Sequence, residues 1–261
     1  MERDKEIKGA VFRFYAELND FLPRSHRYQD YQMVFTERQT VKHLIESAGI
    51  PHTEVDLILA NGLPVDWRYL VTDGDRLSVY PVFESFDIST ISNLRPEPLR
   101  VIRFVLDSHL GRLSALLRML GFDTLYSNQY NDRELAQISA DQSRIVLTRD
   151  RGLLKRNMVT HGYCLRSTNP RDQALEVIRR FDLWEKRKPF HRCAVCNGEI
   201  HPVPKETVDQ LLLNDTRKYF HEFRQCNQCG RVYWKGSHYD RLLVLMAWLG
   251  GQINQDVQKS N

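Results

Sequence analysis

The sequence lacks the features of a membrane or an exported protein. No apolar run is long enough to span a bilayer, and the charged N-terminus, MERDKEIKGAVFRF, contains no signal-peptide core. Cysteine is scarce, at five of 261 residues. In a chain without an export signal, paired cysteines indicate a metal site before a disulfide. We therefore expect a cytoplasmic protein with no membrane partner.

Acidic and basic residues nearly balance over the whole chain, at a net charge of +4, but not along it. Residues 1–96 carry 11 Lys and Arg against 15 Asp and Glu, whereas residues 97–190 carry 17 against 11. Residues 191–261 carry 9 against 7. A basic middle segment suits a polyanionic substrate, although a basic, solvated surface accounts for the same charge.

Two pairs of cysteines form the most specific motif. They have CxxC spacing, Cys193-Ala-Val-Cys196 and Cys226-Asn-Gln-Cys229, with 29 residues between the pairs. Each pair can place two thiolates at adjacent corners of a tetrahedral Zn2+ site, so residues 189–250 are predicted to form a zinc ribbon and a C-terminal helix. Four thiolates leave no open coordination position, so the predicted role is structural. Reduced buried cysteines or disulfides are the alternative.

Basic and aromatic side chains flank these cysteines. Such a mixture can bind single-stranded nucleic acid. The same side chains can instead pack a ribbon that has little other core, and we favour packing for Trp234. The side chains concerned are Arg192, Arg224, Arg231, Tyr233, Trp234 and Lys235.

Residues 1–86 resemble a separate β-grasp, ubiquitin-like domain of the kind found in small sulfur carriers. Two strands form a predicted hairpin, a helix follows with Thr40 as its N-cap, and further strands follow around a turn at Asn61-Gly62. Sulfur carriers end in a free Gly-Gly, whereas this segment continues, so carrier chemistry is not expected. A docking role, toward a protein partner or the substrate, is the better interpretation.

The next segment, residues 87–99, contains two prolines and no periodicity, which predicts a linker. From residue 100 to 188, short branched apolar runs alternate with helical patterns. That alternation predicts an α/β domain with a parallel sheet. In the first predicted helix the leucines form one stripe, and Arg112 and Arg118 occupy the other faces.

Four acidic residues of this domain are candidate ligands of a divalent metal. Asp107 and Asp150 each follow a predicted strand, and ligands of open α/β sheets lie outside the carboxyl ends of the strands. Asp132 and Glu134 fall in the first turn of a helix between them. Carboxylates gathered on Mg2+ or Mn2+ can generate a hydroxide nucleophile and stabilise charge on a phosphodiester. Taken singly, the aspartates also fit helix N-caps or dipole partners, and spacing does not decide whether Glu134 is a direct or an outer ligand.

Other side chains of the domain have candidate roles beside these acids. His109 is a possible general base, although a lone histidine there more often makes a surface hydrogen bond. Cys164 fits a buried strand. Basic residues near the acids are candidates for binding phosphate. They are Arg112, Arg149, Arg151, Lys155 and Arg156.

The segments FVLDSHLGRLSALLRMLGFDT, NDREL and RIVLTRDRGLL, followed by CxxC…CxxC, together resemble the Mut-seven C-terminal RNase family. That family joins a PIN-like ribonuclease domain to a zinc ribbon, and some bacterial members carry a ubiquitin-like domain in front. The resemblance implies metal-dependent RNA cleavage, with Asp107, Asp132 and Asp150 at the acidic positions of the family motif. PIN domains commonly add a fourth acid. This chain has Asn169 there, with Asp172 three residues later.

We therefore expect an α/β protein with three parts: an N-terminal β-grasp domain, a PIN-like parallel-sheet domain and a C-terminal zinc ribbon. The expected function is Mg2+- or Mn2+-dependent hydrolysis of RNA phosphodiester bonds, with a structural Zn2+. A non-catalytic RNA-binding adaptor, associated with tRNA or the ribosome, is the alternative. A sulfur-carrier fusion is disfavoured by the missing terminal Gly-Gly.

Overall fold

The computed structural model describes residues 7–82, 92, 94 and 101–259, with side chains described as far as residue 255. Apart from two positions, the predicted linker lies outside the described residues. No helix in the described part of the chain combines the length and the apolar character that crossing a membrane requires.

The strands and helices of the described residues are as follows. The strands are β1 (Lys8–Phe14), β2 (Asp30–Phe35), β3 (Val55–Ala60), β4 (Leu63–Pro64), β5 (Arg76–Pro81), β6 (Phe104–Leu106), β7 (Thr124–Tyr126), β8 (Ile145–Thr148), β9 (Gly162–Cys164), β10 (Ile200–Val203), β11 (Phe223–Cys226) and β12 (Val232–Trp234). The α-helices are α1 (Val41–Ser47), α2 (Gly111–Met119), α3 (Asp132–Gln142), α4 (Arg151–Leu154), α5 (Pro170–Arg180), α6 (Lys205–Val208), α7 (Asn214–Tyr219) and α8 (Ser237–Lys259). Short 3-10 helices cover Ala16–Phe21, Arg24–His26, His52–Glu54, Ser108–Leu110, Trp184–Lys186 and Asp209–Leu211.

The chain divides into two compact units, which are described separately. The first comprises residues 1–101 and 132–164, and the second comprises residues 102–131 and 165–261. The α/β segment therefore contributes to both units.

The first unit contains the predicted β-grasp domain. Its five strands have the order β2-β1-β5-β3-β4, with β1 and β5 parallel and the other neighbours antiparallel. Alternate residues of β1 are buried, as the period of two along a strand requires. Helix α1 begins after Thr40, whose hydroxyl accepts a hydrogen bond from the His43 amide. The predicted N-cap and the ubiquitin-like sheet are both confirmed.

The β-grasp domain makes direct contacts with residues 132–164 of the same unit. The Glu54 carboxylate is fully buried and accepts a hydrogen bond of 2.6 Å from the Cys164 amide in β9. The His52 ring, also buried, donates from Nε2 to the Val159 carbonyl at 2.9 Å. Because buried polar groups require partners, these bonds tie the β-grasp domain to the segment that carries β8 and β9, which pair in parallel.

The second unit contains the parallel pair β6 and β7, helices α2 and α5, and the ribbon. The leucine stripe of α2 is buried as predicted, with Leu113 and Leu117 fully inaccessible to solvent. Arg118 does not lie on an exposed face, however, since its residue is only 4% exposed. Arg118, which was predicted to lie off the leucine stripe, is buried because residues of the ribbon cover it.

The ribbon sheet consists of β10, β11 and β12, all antiparallel. Between the two cysteine pairs the chain also forms the short helices α6 and α7. Helix α8 continues to Lys259, beyond the predicted limit at residue 250. A glycine costs only about 1 kcal/mol in a helix, and at Gly250 a Cβ atom would lie 2.9 Å from the Trp184 ring. Gly250 therefore permits a close contact without ending the helix.

Candidate functional site

The four paired cysteines form a tight group in the second unit. Their sulfur atoms all lie within 4.8 Å of one another, with 3.6 Å between Cys193 and Cys229 and 3.4 Å between Cys196 and Cys226. Tetrahedral Zn–S bonds of about 2.3 Å separate the sulfurs by about 3.8 Å. A disulfide needs sulfurs at about 2.05 Å, and all five cysteines are free. The quartet therefore fits a Zn2+ ion, and the disulfide alternative is wrong.

A tyrosine supports one sulfur of this quartet. The Tyr233 hydroxyl donates to Cys193 Sγ at 3.0 Å and accepts from the Ala194 amide at 3.2 Å. Burial raises the pKa of the Cys193 thiol, but hydrogen bonds from Tyr233 and from two backbone amides outweigh burial and lower it to about 6. The thiolate is the form that binds a metal, so this bond favours the binding form of Cys193.

Arg118 hydrogen-bonds the backbone between Cys193 and Cys196, which we call the first cysteine turn, and also the backbone of β7. Its guanidinium donates to the carbonyls of Val195 at 2.8 Å, Ala194 at 3.2 Å and Thr124 at 2.8 Å. Burial lowers the pKa of Arg118, while the adjacent Cys193 sulfur opposes that shift. Arg118 thus supplies positive charge and three hydrogen bonds beneath a cluster of sulfurs.

Asn197 also links the first cysteine turn to β7, through hydrogen bonds with the Thr124 amide and with Asp123. The Asn197 side chain accepts from the Thr124 amide at 2.9 Å and donates to Asp123 at 2.8 Å. Asn197 adopts a φ of +70°, a conformation that asparagine tolerates better than most residues. Asn197, Arg118 and Tyr233 were not predicted in these roles. An asparagine directly after a CxxC pair was the one signal available, because it indicates a left-handed residue that closes the turn.

Asp107 lies at the end of β6 and is only 7% exposed. Its Oδ1 accepts from the Ser108 amide at 2.6 Å and lies 3.4 Å from His109 Nδ1. Asp107 therefore caps the short helix that follows, and His109 is placed to hydrogen-bond with it. Tyr126 fixes the same turn by donating from its hydroxyl to the Ser108 carbonyl at 2.7 Å.

The other three acids lie in the first unit. Asp150 caps α4, since its Oδ1 accepts from the Gly152 amide at 2.7 Å. Asp132 lies 3.4 Å from Arg156 Nη2, and both side chains are nearly half exposed. Glu134 is exposed in the first turn of α3. Within the described part of the chain these three acids do not form a close group of the kind that the cysteines form.

Two of the candidate phosphate-binding residues contact the β-grasp domain. Arg151 donates to the Phe21 carbonyl at 3.1 Å, and its guanidinium lies 4.9 Å from the centre of the Phe21 ring. Lys155 donates to the Glu46 carbonyl. Arg112 and Arg149 are exposed.

Asn169, where the family resemblance led us to expect a fourth acid, serves as a helix cap. Its side-chain oxygen accepts from the Arg171 amide at 2.9 Å, immediately before α5. Asp172 is exposed in the first turn of that helix.

The sequence matches two models of protein families. Residues 102–246 match the Mut7-C RNAse domain, and residues 7–87 match the Mut7-C ubiquitin domain. The human protein named "Exonuclease mut-7 homolog" is 31% identical over 122 residues, which cover 44% of this chain and 14% of that relative. This chain therefore spans a small part of that relative's length. No solved structure gives a significant match.

Both the RNase model and the name of the human relative indicate a nuclease. The RNase model alone covers more than half of the 261 residues, and its match begins two residues before β6 and ends within α8. The chain is therefore a member of the Mut7-C RNase family, with a Mut7-C ubiquitin-like domain in front of its Mut7-C RNase domain.

Proposed function

We propose that this chain is a metal-dependent ribonuclease that hydrolyses RNA phosphodiester bonds. The observation that carries the proposal is the RNase family match over residues 102–246. Its basic segment, 97–190, with 17 Lys and Arg against 11 Asp and Glu, suits a polyanionic substrate. The proposed division is a ubiquitin-like domain at 1–86, a linker at 87–99, a nuclease domain at 100–188 and the ribbon with its helix at 189–250.

The proposed metal ligands are Asp107, Asp132 and Asp150, with Glu134 as a further or outer ligand. Carboxylate oxygens are the donors that Mg2+ and Mn2+ prefer, so the donor set fits either ion. A bound ion of this kind would activate water and neutralise charge on the phosphodiester.

The side chains have further proposed tasks. Each helix cap uses Oδ1 of its aspartate, which fixes the direction of the carboxyl group. Arg112 and Arg149 are proposed to neutralise substrate phosphate, because both are exposed cations near the acids in sequence. Arg156 is proposed to orient Asp132 through the contact at 3.4 Å.

A cleavage assay with Asp150→Asn tests this proposal. Asparagine is as good an N-cap as aspartate, so the variant should keep α4 and its melting temperature while losing the charged ligand. Purified protein is incubated with labelled RNA and Mn2+ or Mg2+, and we expect Asp150→Asn to cleave about 100-fold more slowly or worse. Asp141→Asn is the matched control, since Asp141 is an exposed acid whose carboxylate bonds Gln137 within α3. Its rate should equal that of the wild type.

Unchanged cleavage by Asp150→Asn would show that the assigned acids are not the site. If the wild-type protein cleaves no RNA with either metal and calorimetry detects no binding of Mg2+ or Mn2+, the proposed activity fails.

Some contacts favour a second candidate, a non-catalytic RNA-binding adaptor. Asp107 and Asp150 already act as helix caps, Asp132 already has a basic partner, and Asn169 stands where PIN domains commonly have an acid. Intact RNA that nevertheless binds the protein would support this candidate over the ribonuclease.

A further inference from the structure

The second unit contains a groove that has no role in the proposed hydrolysis. It lies between the ribbon and helix α8 and has a volume of about 630 Å³. All of its lining residues fall between Pro189 and Met246, so they belong to the second unit. Its volume lies within the range of pockets that bind small organic ligands, about 300–1,000 Å³.

Aromatic rings form much of the groove wall. Phe190 and Tyr239 meet edge to face, with ring centres 4.6 Å apart, and Tyr233 and Trp234 line the wall beside them. All four residues are partly exposed rather than buried. Partly exposed rings on a fixed wall are the surface on which unpaired bases stack.

The same wall carries an excess of positive charge. Lys205, Arg224 and Lys235 line it, against one acid, Glu222. Lys205 and Arg224 donate to backbone carbonyls, of Arg217 and Phe190 respectively. A carbonyl fixes the position of a cation without cancelling its charge, so both remain able to attract phosphate.

The Lys235–Glu222 pair is the one place in the groove where an acid faces a cation directly. The atoms are 2.6 Å apart, but the side chains are 61% and 76% exposed. An exposed pair of this kind is held weakly and is screened by salt. Lys235 can therefore exchange the carboxylate for a phosphate at little cost.

We infer that this groove binds single-stranded RNA, with bases stacked on the aromatic wall and phosphates at the cations. A duplex keeps its bases inside its own stack, so it cannot use the rings. An acidic peptide would satisfy the cations and leave the rings without bases. The inference deepens the proposed function, and it rests on that function for the assignment of the strand as RNA.

Fluorescence anisotropy of the zinc-loaded chain, residues 1–261, with a short labelled oligouridine tests the inference. No Mg2+ or Mn2+ is added, so binding is measured without cleavage. Trp234→Leu removes a ring but keeps apolar contact with the small core around Phe223, and Lys235→Ala removes an exposed cation. Lys218→Ala is the matched control, because Lys218 is an exposed lysine of α7 that does not line the groove.

The variants should separate stacking from charge. Trp234→Leu should weaken binding about five- to 150-fold, the effect of losing one stacked base. Lys235→Ala should reduce the slope of log affinity against log salt by about 0.7, and Lys218→Ala should bind within about twofold of the wild type. An equally long RNA duplex should not lose affinity on Trp234→Leu.

Several results would overturn the inference. They are a wild-type protein that does not bind oligouridine, and folded, zinc-loaded groove variants that bind as the wild type does. A Trp234→Leu variant that binds duplex and single strand with the same loss would also contradict it. Asp150→Asn should bind oligouridine normally, so a failure of the groove and a failure of the proposed nuclease give different results.

Discussion

The chain presents two sets of candidate metal ligands, and the structure treats them differently. The four cysteines lie in one unit, all within 4.8 Å of one another. The acids are distributed over both units: Asp107 and Asp150 accept helix-cap bonds, and Asp132 contacts Arg156. A short spacing in sequence thus assembles ligands more directly than a shared strand end does.

The reason is local geometry. One tight turn delivers both sulfurs of a CxxC pair, and the antiparallel register of β10 and β11 then sets Cys226 opposite Ile200, close to the first pair. The ribbon's own apolar clusters are small, each with three buried residues. A core of that size contributes little stability by itself, so the metal should stabilise the ribbon more than any single side chain does.

The largest effect is expected when one cysteine of the quartet is replaced. Cys226→Ser removes one ligand from a site whose Zn2+ binding is coupled to folding by about 10–16 kcal/mol in comparable modules. We expect bound zinc, measured by elemental analysis, to fall from one ion per chain to almost none. Residues 189–234 should then become sensitive to limited proteolysis.

Cys164→Ser is the control for that experiment. Cys164 is a buried cysteine of β9 outside the quartet. The variant should keep one zinc ion per chain even if its melting temperature falls. Equal zinc content in Cys226→Ser and the wild type would contradict the assignment of the quartet.

A smaller loss of stability is expected from Arg118→Met, which tests how much the Arg118 hydrogen bonds to the first cysteine turn and β7 stabilise the fold. The substitution keeps apolar bulk but leaves the carbonyls of Thr124, Ala194 and Val195 without their donor. Leaving one buried carbonyl and two part-buried carbonyls without this donor should cost about 3 kcal/mol of unfolding free energy, measured by urea denaturation with zinc present. Arg112→Met, at an exposed position of the same helix, should change stability by less than about 0.5 kcal/mol.

A third, smaller effect than that of Arg118→Met is expected next to the candidate acid Asp150, from Arg151→Ala. Arg151 is exposed, and its contacts with Phe21 are one carbonyl bond and one ring contact. Its loss should destabilise the protein by less than about 1 kcal/mol, measured as a shift of the urea midpoint. If Arg151→Ala loses as much unfolding free energy as Arg118→Met, the exposed Arg151 and the buried Arg118 contribute equally, which would contradict this expectation.

Much of the fold could be predicted because it depends on neighbours in sequence. The Thr40 cap, the alternation along β1 and the leucine stripe of α2 are local patterns, and the structure reproduces them. The end of α8 was missed because two glycines signal a stop, whereas packing at Gly250 favours continuation.

The cysteine quartet and the ubiquitin-like sheet could be predicted from the sequence, because CxxC spacing and the alternation along a strand are local patterns. The partners of the basic residues depend on the folded chain. Arg118 lies beneath the cysteine turn, and Arg151 and Lys155 contact the β-grasp domain. The physical reason is that a long cation binds whichever carbonyls the folded chain brings within reach, and no local pattern specifies carbonyls that lie distant in sequence.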